Sequence, residues 1–218
     1  MTAPTMTGRL ITFEGTEGSG KSTQIALLTE RLQNSGRSVR LLREPGGTPI
    51  GEEIRHTLKH STANQAMTPE AELLLMNASR AQLVREVVRP ALAAGEIVLC
   101  DRYYDSTTAY QGYGRQLDLL MVQTIIYLAV GSTRPDLTLL LLVPQRLSQA
   151  RRLARQSTLP FMRDRIEEAD DSFFDRVAKG YVAIAAAEPK RVKTLDATGD
   201  VPTVQAAIWR LVEPLVQS

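Results

Sequence analysis

The sequence predicts an α/β fold in three layers, a five-stranded parallel sheet flanked by helices. Three observations carry that prediction. Short β-prone runs alternate with longer amphipathic stretches along the chain. Several short runs are continuously apolar rather than alternating, as strands buried on both faces are. A glycine-rich turn ending in Lys-Ser-Thr joins the first strand candidate to the first helix candidate, within ITFEGTEGSGKST (11–23).

The strand candidates are RLITFE (9–14), SVRLLR (38–43), EIVLC (96–100), LTLLLLV (137–143) and RVKTLD (191–196). Helical patterns fall near 21–35, 50–60, 69–94, 116–129, 145–156, 171–187 and 202–216. That alternation implies right-handed crossovers between parallel strands. Thr68-Pro69-Glu70 reads as an N-cap, a proline at the first helical position and an acidic first turn. Gly36 and Gly95 follow the first and third helical patterns as C-terminal stops. The stretch RQSTLPFMRDR (155–165) interrupts the pattern and reads as a loop. No linker divides the chain, so residues 1–218 are expected to form a single domain.

Composition narrows the function. The 218 residues suffice for one substantial core. Lys and Arg number 26 against 24 for Asp and Glu, so a general polyanion-binding surface is not indicated. Nor does a basic stripe interleave with aromatics as nucleic-acid binding would favour. The only cysteine, Cys100, excludes an intrachain disulfide, fits a reducing compartment, and lies in an apolar run that predicts a buried, inert thiol. His56 and His60 are four apart, but no third ligand is near in sequence, so a solvated helix face is the better reading than a metal pair. The N-terminus MTAPTMTGRL lacks the features of a signal peptide. The longest apolar run, 137–143, is far too short to span a bilayer. A cytoplasmic protein without a membrane or nucleic-acid partner is expected.

Gly15-x-x-x-x-Gly20-Lys21-Ser22 has the spacing of a phosphate-binding loop. Gly15, Gly18 and Gly20 let the backbone turn with its N–H groups inward, around Thr16, Glu17 and Ser19. The helix that begins with Lys21, Ser22 and Thr23 points its N-terminus at the same place. Lys21 would reach the β- and γ-phosphates, and the Ser22 hydroxyl would hold Mg²⁺. The expected fold is therefore the P-loop NTPase fold, with a nucleoside triphosphate and Mg²⁺ bound at the loop. The motif by itself establishes only a nucleoside triphosphate, since ATPase switches, GTPases and small-molecule kinases share it. The chain has no Asn/Thr-Lys-x-Asp guanine motif, which counts against a GTPase.

Three more stretches suit anions or bases: REPGGT (43–48), SRAQ (79–82) and DRYYDSTTAYQGYGR (101–115). Two of them follow strand ends, as the phosphate loop does, and in open parallel sheets ligands sit beyond the carboxyl ends of strands. They should converge on one cleft. An arginine there offers paired donors for a phosphate or a planar base edge.

Taken together, FEGTEGSGKST, REPGGTPIGEEIR, the SRAQ helix, DRYYDSTTAYQGYGR and DRIEEADDSFFDRVAKGY closely resemble the bacterial thymidylate kinases over almost the whole chain. Those enzymes transfer phosphate from MgATP to dTMP. The resemblance implies that Arg102 binds the dTMP phosphate, helped by Arg55, near Glu17 and Mg²⁺. It implies that Arg80 addresses the thymine ring and that Thr107 and Gln111 lie against the base. Tyr110 would lie under the deoxyribose and crowd a 2′-hydroxyl. Asp101 would act near Mg²⁺, and Glu44 would face a monophosphate-binding region spanning about 44–94. A homodimer is implied as well. The apolar helix MVQTIIYLAV (121–130) and parts of 69–94 are candidate interface surfaces, although core burial explains them equally well.

The chain departs from the family pattern at two places. Relatives usually place an aromatic residue one helical turn before the base-binding arginine, where this chain has Met76. A thioether can pack on a ring but gives a less fixed platform, which keeps open a broader pyrimidine nucleotide kinase. And the phosphate loop has no arginine at Glu17 or Gly18, so cationic help would come from a lid around 146–168. Its candidates are Arg151, Arg155, Arg163 and Arg165, the first two sharing one helix face. An ATPase switch acting on a protein partner is the rival from another class. The arginines at acceptor-side positions argue against it.

Overall fold

The computed structural model describes residues 8–156, 164–166 and 168–217, with backbone alone at 152, 153, 155 and 156. Five strands, β1 (Arg9–Glu14), β2 (Val39–Arg43), β3 (Ile97–Asp101), β4 (Leu137–Leu142) and β5 (Val192–Asp196), pair in parallel in the order β2-β3-β1-β4-β5. Each falls within one residue of its predicted position. The three inner strands are buried nearly throughout, which is why their sequences are continuously apolar. The outer two are half covered, and their sequences are mixed.

The helices are α1 (Lys21–Asn34), α2 (Pro49–Lys59), α3 (Pro69–Leu83), α4 (Arg89–Ala93), α5 (Tyr104–Thr107), α6 (Leu119–Val130), α7 (Gln145–Gln156), α8 (Asp171–Ala187) and α9 (Val201–Gln217). Thr68 caps α3, its side chain accepting from Ala71 N at 3.2 Å, and Pro69 opens the helix. The expected single helix over 69–94 is interrupted by a π turn at Val84–Val88. Pro90 lies just beyond that turn and has no N–H for the carbonyl of Glu86, so a regular α turn cannot close there. A second π turn, Thr108–Gly114, continues α5. Residues 104–114 are thus helical where no helix was expected. The following helix starts later than predicted because Asp118 caps it, accepting from Met121 N at 2.8 Å.

Alternate residues of the strands face opposite sides of the sheet. Ile11, Phe13, Leu99, Leu139 and Leu141 pack with Ile25, Leu28 and Leu32 of α1 and Val204, Ile208 and Val212 of α9. Leu10, Val98 and Cys100 pack on the other face with Leu73, Leu83, Val122 and Ile126 of α3 and α6. Leu140 meets Tyr110 and Phe173, Val177 and Tyr181 of α8. Cys100 is fully buried, and burial pushes its thiol well above the ordinary range. The register aligns Phe13, Asp101 and Arg43 across β1, β3 and β2. The chain therefore leaves these three strands at one edge, where their loops build a common site. No helix among the described residues is long and apolar enough to cross a membrane.

Candidate active site

The phosphate loop needs its glycines for different reasons. Gly15, Gly18 and Gly20 all have positive φ, at 137°, 74° and 93°. A Cβ on Gly15 would also stand 2.4 Å from the carbonyl oxygen of Leu141, and one on Gly18 2.6 Å from that of Ser148. Around Gly20 there is open space, so only its backbone conformation demands glycine. Gly20 is the N-cap of α1. No side chain caps this helix, and its first turn holds no acid. Its N-terminal N–H groups and dipole are left to an anion. Lys21 folds back over the loop, donating to the carbonyl oxygens of Gly15 and Thr16, both at 3.0 Å. Burial, and then the charge of Arg102, pull its amine down to about 8.

Ser22 donates to Asp101 Oδ2 at 3.4 Å. The other oxygen, Asp101 Oδ1, is buried without a hydrogen-bond partner among the described residues. A hydroxyl beside an unsatisfied anionic oxygen is a hard donor pair, the chemistry Mg²⁺ prefers. Ser22 and Thr23 are both exposed at the start of α1.

Arg102 follows β3 with a φ of 70°, a left-handed conformation uncommon outside glycine. Its guanidinium joins the phosphate loop to the space beside it. Nη1 donates to Gly15 O at 3.0 Å and to Ser106 Oγ and Tyr181 Oη at 3.1 Å. Nη2 donates to Glu17 Oε1 at 2.7 Å and to Tyr110 Oη at 3.3 Å. Burial alone would raise the Glu17 carboxyl, but Arg102, Lys21 and Lys59 hold it far below the carboxylate range. Beneath them Glu14 is fully buried, accepting from Tyr103 N at 2.8 Å, Ser106 Oγ at 2.6 Å and Tyr181 Oη at 2.9 Å. Burial, then the nearby Asp105, push its carboxyl up to about 7.

A pocket opens beyond Arg102, walled by Glu17, Glu44, Met76, Arg80, Arg102, Thr107, Tyr110 and Gln111. Arg80 is 2% exposed. Its Nε donates to Glu44 Oε2 at 2.7 Å, Nη1 to Asn77 Oδ1 at 2.8 Å, and Nη2 to Tyr103 O at 3.3 Å. Glu44 Oε1 is buried without a hydrogen-bond partner among the described residues. Burial raises the Glu44 carboxyl more than Arg80 lowers it. Gln111 donates from Nε2 to the buried Glu72 Oε1 at 2.7 Å. A loop whose backbone is open to an anion and a side-chain pocket thus share one guanidinium.

A sequence profile of the family "Thymidylate kinase" matches residues 13–208 of this chain. The chain belongs to the thymidylate kinase family. It is 45% identical to the thymidylate kinase of Alcanivorax borkumensis over 96% of this chain and 98% of that one. It is 48% identical to the thymidylate kinase of Chlorobium luteolum over 91% and 94%. The fold is similar to the crystal structure of thymidylate kinase from Ehrlichia chaffeensis, with a TM-score of 0.75 and 31% identity over 94% of this chain and 98% of that one.

Among the positions that thymidylate kinase motifs picked out, Arg55 stands apart from the pocket wall and donates to Pro45 O at 2.9 Å. Arg151 of α7 lies against the phosphate loop, donating to Gly18 O at 3.3 Å and Ala197 O at 3.4 Å, and Ser148 donates to Glu17 O. Arg165 is engaged elsewhere, in an ion pair with Glu72. The side chain of Arg155 and the whole of Arg163 lie outside the described residues. Sequence reasoning missed Glu14, Lys59, Glu72, Ser106 and Tyr181. Glu14, Ser106 and Tyr181 lie inside the family motifs, so the motifs held the signal. Lys59 closes α2 on Asp164 at 2.6 Å, and nothing in its local sequence marks it.

Proposed function

We propose that this chain transfers the γ-phosphoryl group of ATP to the phosphate of dTMP, giving ADP and dTDP, by direct in-line displacement. The observation that carries the reading is Arg102, one half-buried guanidinium bonded to the phosphate loop at Gly15 and Glu17 and standing in the wall of the acceptor pocket. Donor and acceptor phosphates bound at the two sides would meet there. The loop from Gly15 to Thr23 holds the triphosphate, with Lys21 turning from its own carbonyls to the β- and γ-phosphates. Ser22 and Asp101 would hold Mg²⁺, which would supply positive charge to offset that of the phosphates. No general base is required, because the acceptor oxygen is already anionic.

Arg102, with Glu17 as its counter-charge, binds the acceptor phosphate, helped by Arg55, which would turn from Pro45 O to reach it. Tyr110 lies under the sugar. Arg80, Thr107, Gln111 and Met76 surround the base, with Glu44 holding Arg80 in place. Residues 44–94 are assigned as the monophosphate-binding region of a single domain and 146–168 as its lid, of which 157–163 and 167 lie outside the described residues. Arg151 is the lid arginine best placed near the loop; Arg155, Arg163 and Arg165 remain in the assignment. Arg165 would have to leave Glu72 to reach a phosphate.

A homodimer fits the outer face of α6, where Leu120, Tyr127 and Leu128 are 72–75% exposed, beside the exposed Leu74 of α3. Sedimentation velocity measures it directly. A cytoplasmic location fits the single buried thiol. Met76 favours a second reading, a broader pyrimidine nucleotide kinase, because a flexible side chain walls the base pocket.

ADP release from MgATP, compared across dTMP, dUMP, ribo-TMP, dCMP and no acceptor, tests both readings. Stimulation chiefly by dTMP is expected. Equal rates with several pyrimidines would replace the narrow reading with the broad one, and no stimulation by any acceptor would overturn both. The lid assignment expects a loss of about 10³ in turnover for alanine at one of the four arginines. Near-normal turnover in all four would overturn it.

A further inference from the structure

An amide side chain can turn over and exchange its oxygen for its NH₂, so an unrestrained glutamine does not distinguish a donor from an acceptor. Gln111 is restrained. Its Nε2 stands 2.7 Å from Glu72 Oε1, and Glu72 is completely buried. Arg115 donates to Glu72 Oε2 at 3.0 Å, and Arg165 pairs with the same oxygen. Burial works against the charge on Glu72, but the two arginines and Gln111 outweigh it and keep the carboxyl ionised. An ionised carboxylate only accepts. Turning the Gln111 amide over would set oxygen against oxygen between two buried side chains. One N–H of the amide nitrogen is thereby committed and the amide's orientation is fixed, so Oε1 is the acceptor that Gln111 retains for the pocket it lines.

We infer that Glu72 is a specificity-determining positioning residue, which fixes the Gln111 amide so that the pocket presents an acceptor to the pyrimidine edge. An acceptor there selects a ring with N–H at position 3, as in thymine or uracil. It rejects cytosine, whose N3 offers a lone pair instead. Arg80 stands on the same pocket and carries donors only, so it reinforces the choice by opposing an exocyclic amino group. The 5-methyl group plays no part in this selection, and the device does not separate dTMP from dUMP. The inference rests on the reading that the base of the acceptor occupies this pocket.

The test uses dTMP and 5-methyl-dCMP, which share shape and methyl group and differ only at N3 and position 4. The ratio of their kcat/KM values is measured for the full-length wild type, Glu72→Gln, Gln111→Met and the double variant. A neutral amide at 72 can face Gln111 with either end, so Gln111 is released to turn over. The ratio should fall about 10- to 100-fold in Glu72→Gln, mainly through a gain with 5-methyl-dCMP. Gln111→Met should lower it comparably, and the double variant should fall no further, because both changes remove one device. A purely structural Glu72 would lower both acceptors together; an unchanged ratio in Glu72→Gln overturns the inference. Should Glu72→Gln fail to fold, Gln111→Met decides, a fallen ratio supporting the inference and an unchanged one overturning it. If dTMP does not stimulate the wild type at all, it is the kinase reading that has failed, and the inference falls with it.

Discussion

Between Gly15 and Ser22 one unbroken run of backbone makes the phosphate site. The pocket beyond Arg102 instead draws side chains from the loops after β1, β2 and β3, from α3, and from α5 with its π turn. The two also differ in how they rest. The start of α1 has no capping side chain and no acid in its first turn. In the pocket, charged and polar groups already hold one another: Arg102 on Glu17, Arg80 on Glu44, Gln111 on Glu72. The loop is a backbone cradle that an anion completes, whereas the pocket is a balanced set of pairs that a ligand joins. Removing one side chain from the loop leaves most of the cradle. Removing one from the pocket leaves a buried partner uncompensated.

The largest effect should come from the residue the two regions share. Arg102→Met removes the guanidinium that donates to Glu17 and takes a donor from the pocket in one change. Turnover at saturating MgATP and dTMP should fall by about 10³ or more. A loss under tenfold would show that the loop and the pocket do not depend on a common guanidinium.

A smaller effect separates shape from conformation inside the loop. Gly20→Ala meets only the left-handed backbone, worth about 1–2 kcal/mol. Gly15→Ala meets in addition the carbonyl of Leu141 at 2.4 Å, and that atom is backbone, not a side chain that can swing away. It should lose roughly 1–3 kcal/mol more than Gly20→Ala, read from urea unfolding of the two variants side by side. Equal losses would mean that Leu141 moves aside freely.

The same contrast explains what could be read in advance. The loop was legible because its function is carried by spacing along one segment. Inner strands were legible because burial on both faces leaves continuous apolar runs. Much of the pocket could be named only through motif resemblance, and which of its supports pair with one another could not be read from the motifs. Glu14 and Tyr181 are 167 positions apart, and no local pattern joins them. The helix over 104–114 was hidden in a stretch rich in Thr, Tyr and Gly, poor formers by intrinsic preference. It is held by tertiary bonds, with Ser106 N and Oγ both on Glu14. Arg165 on Glu72 is likewise a contact that only the folded chain reveals.

The smallest effect is a fraction of one proton. Burial and Arg102 pull the Lys21 amine from 10.5 to about 8 in the unliganded loop. A triphosphate laid beside it favours the charged form and raises that value again. MgATP binding near pH 9 should therefore take up close to one proton, and binding near pH 7 almost none, because Lys21 is already charged there. The two linkages run in opposite directions. Between about pH 8 and 10.5 the unfolded chain holds the proton and the folded chain does not, so this residue's contribution to folding stability rises with pH. Across the same window the free loop loses the charge that the bound loop keeps, so affinity for MgATP falls by up to about tenfold per pH unit. Titration calorimetry in two buffers of different ionisation enthalpy measures the uptake, and Lys21→Met should abolish it. Uptake that survives Lys21→Met would assign the proton to another group and show that the loop's lysine is already charged before the nucleotide binds.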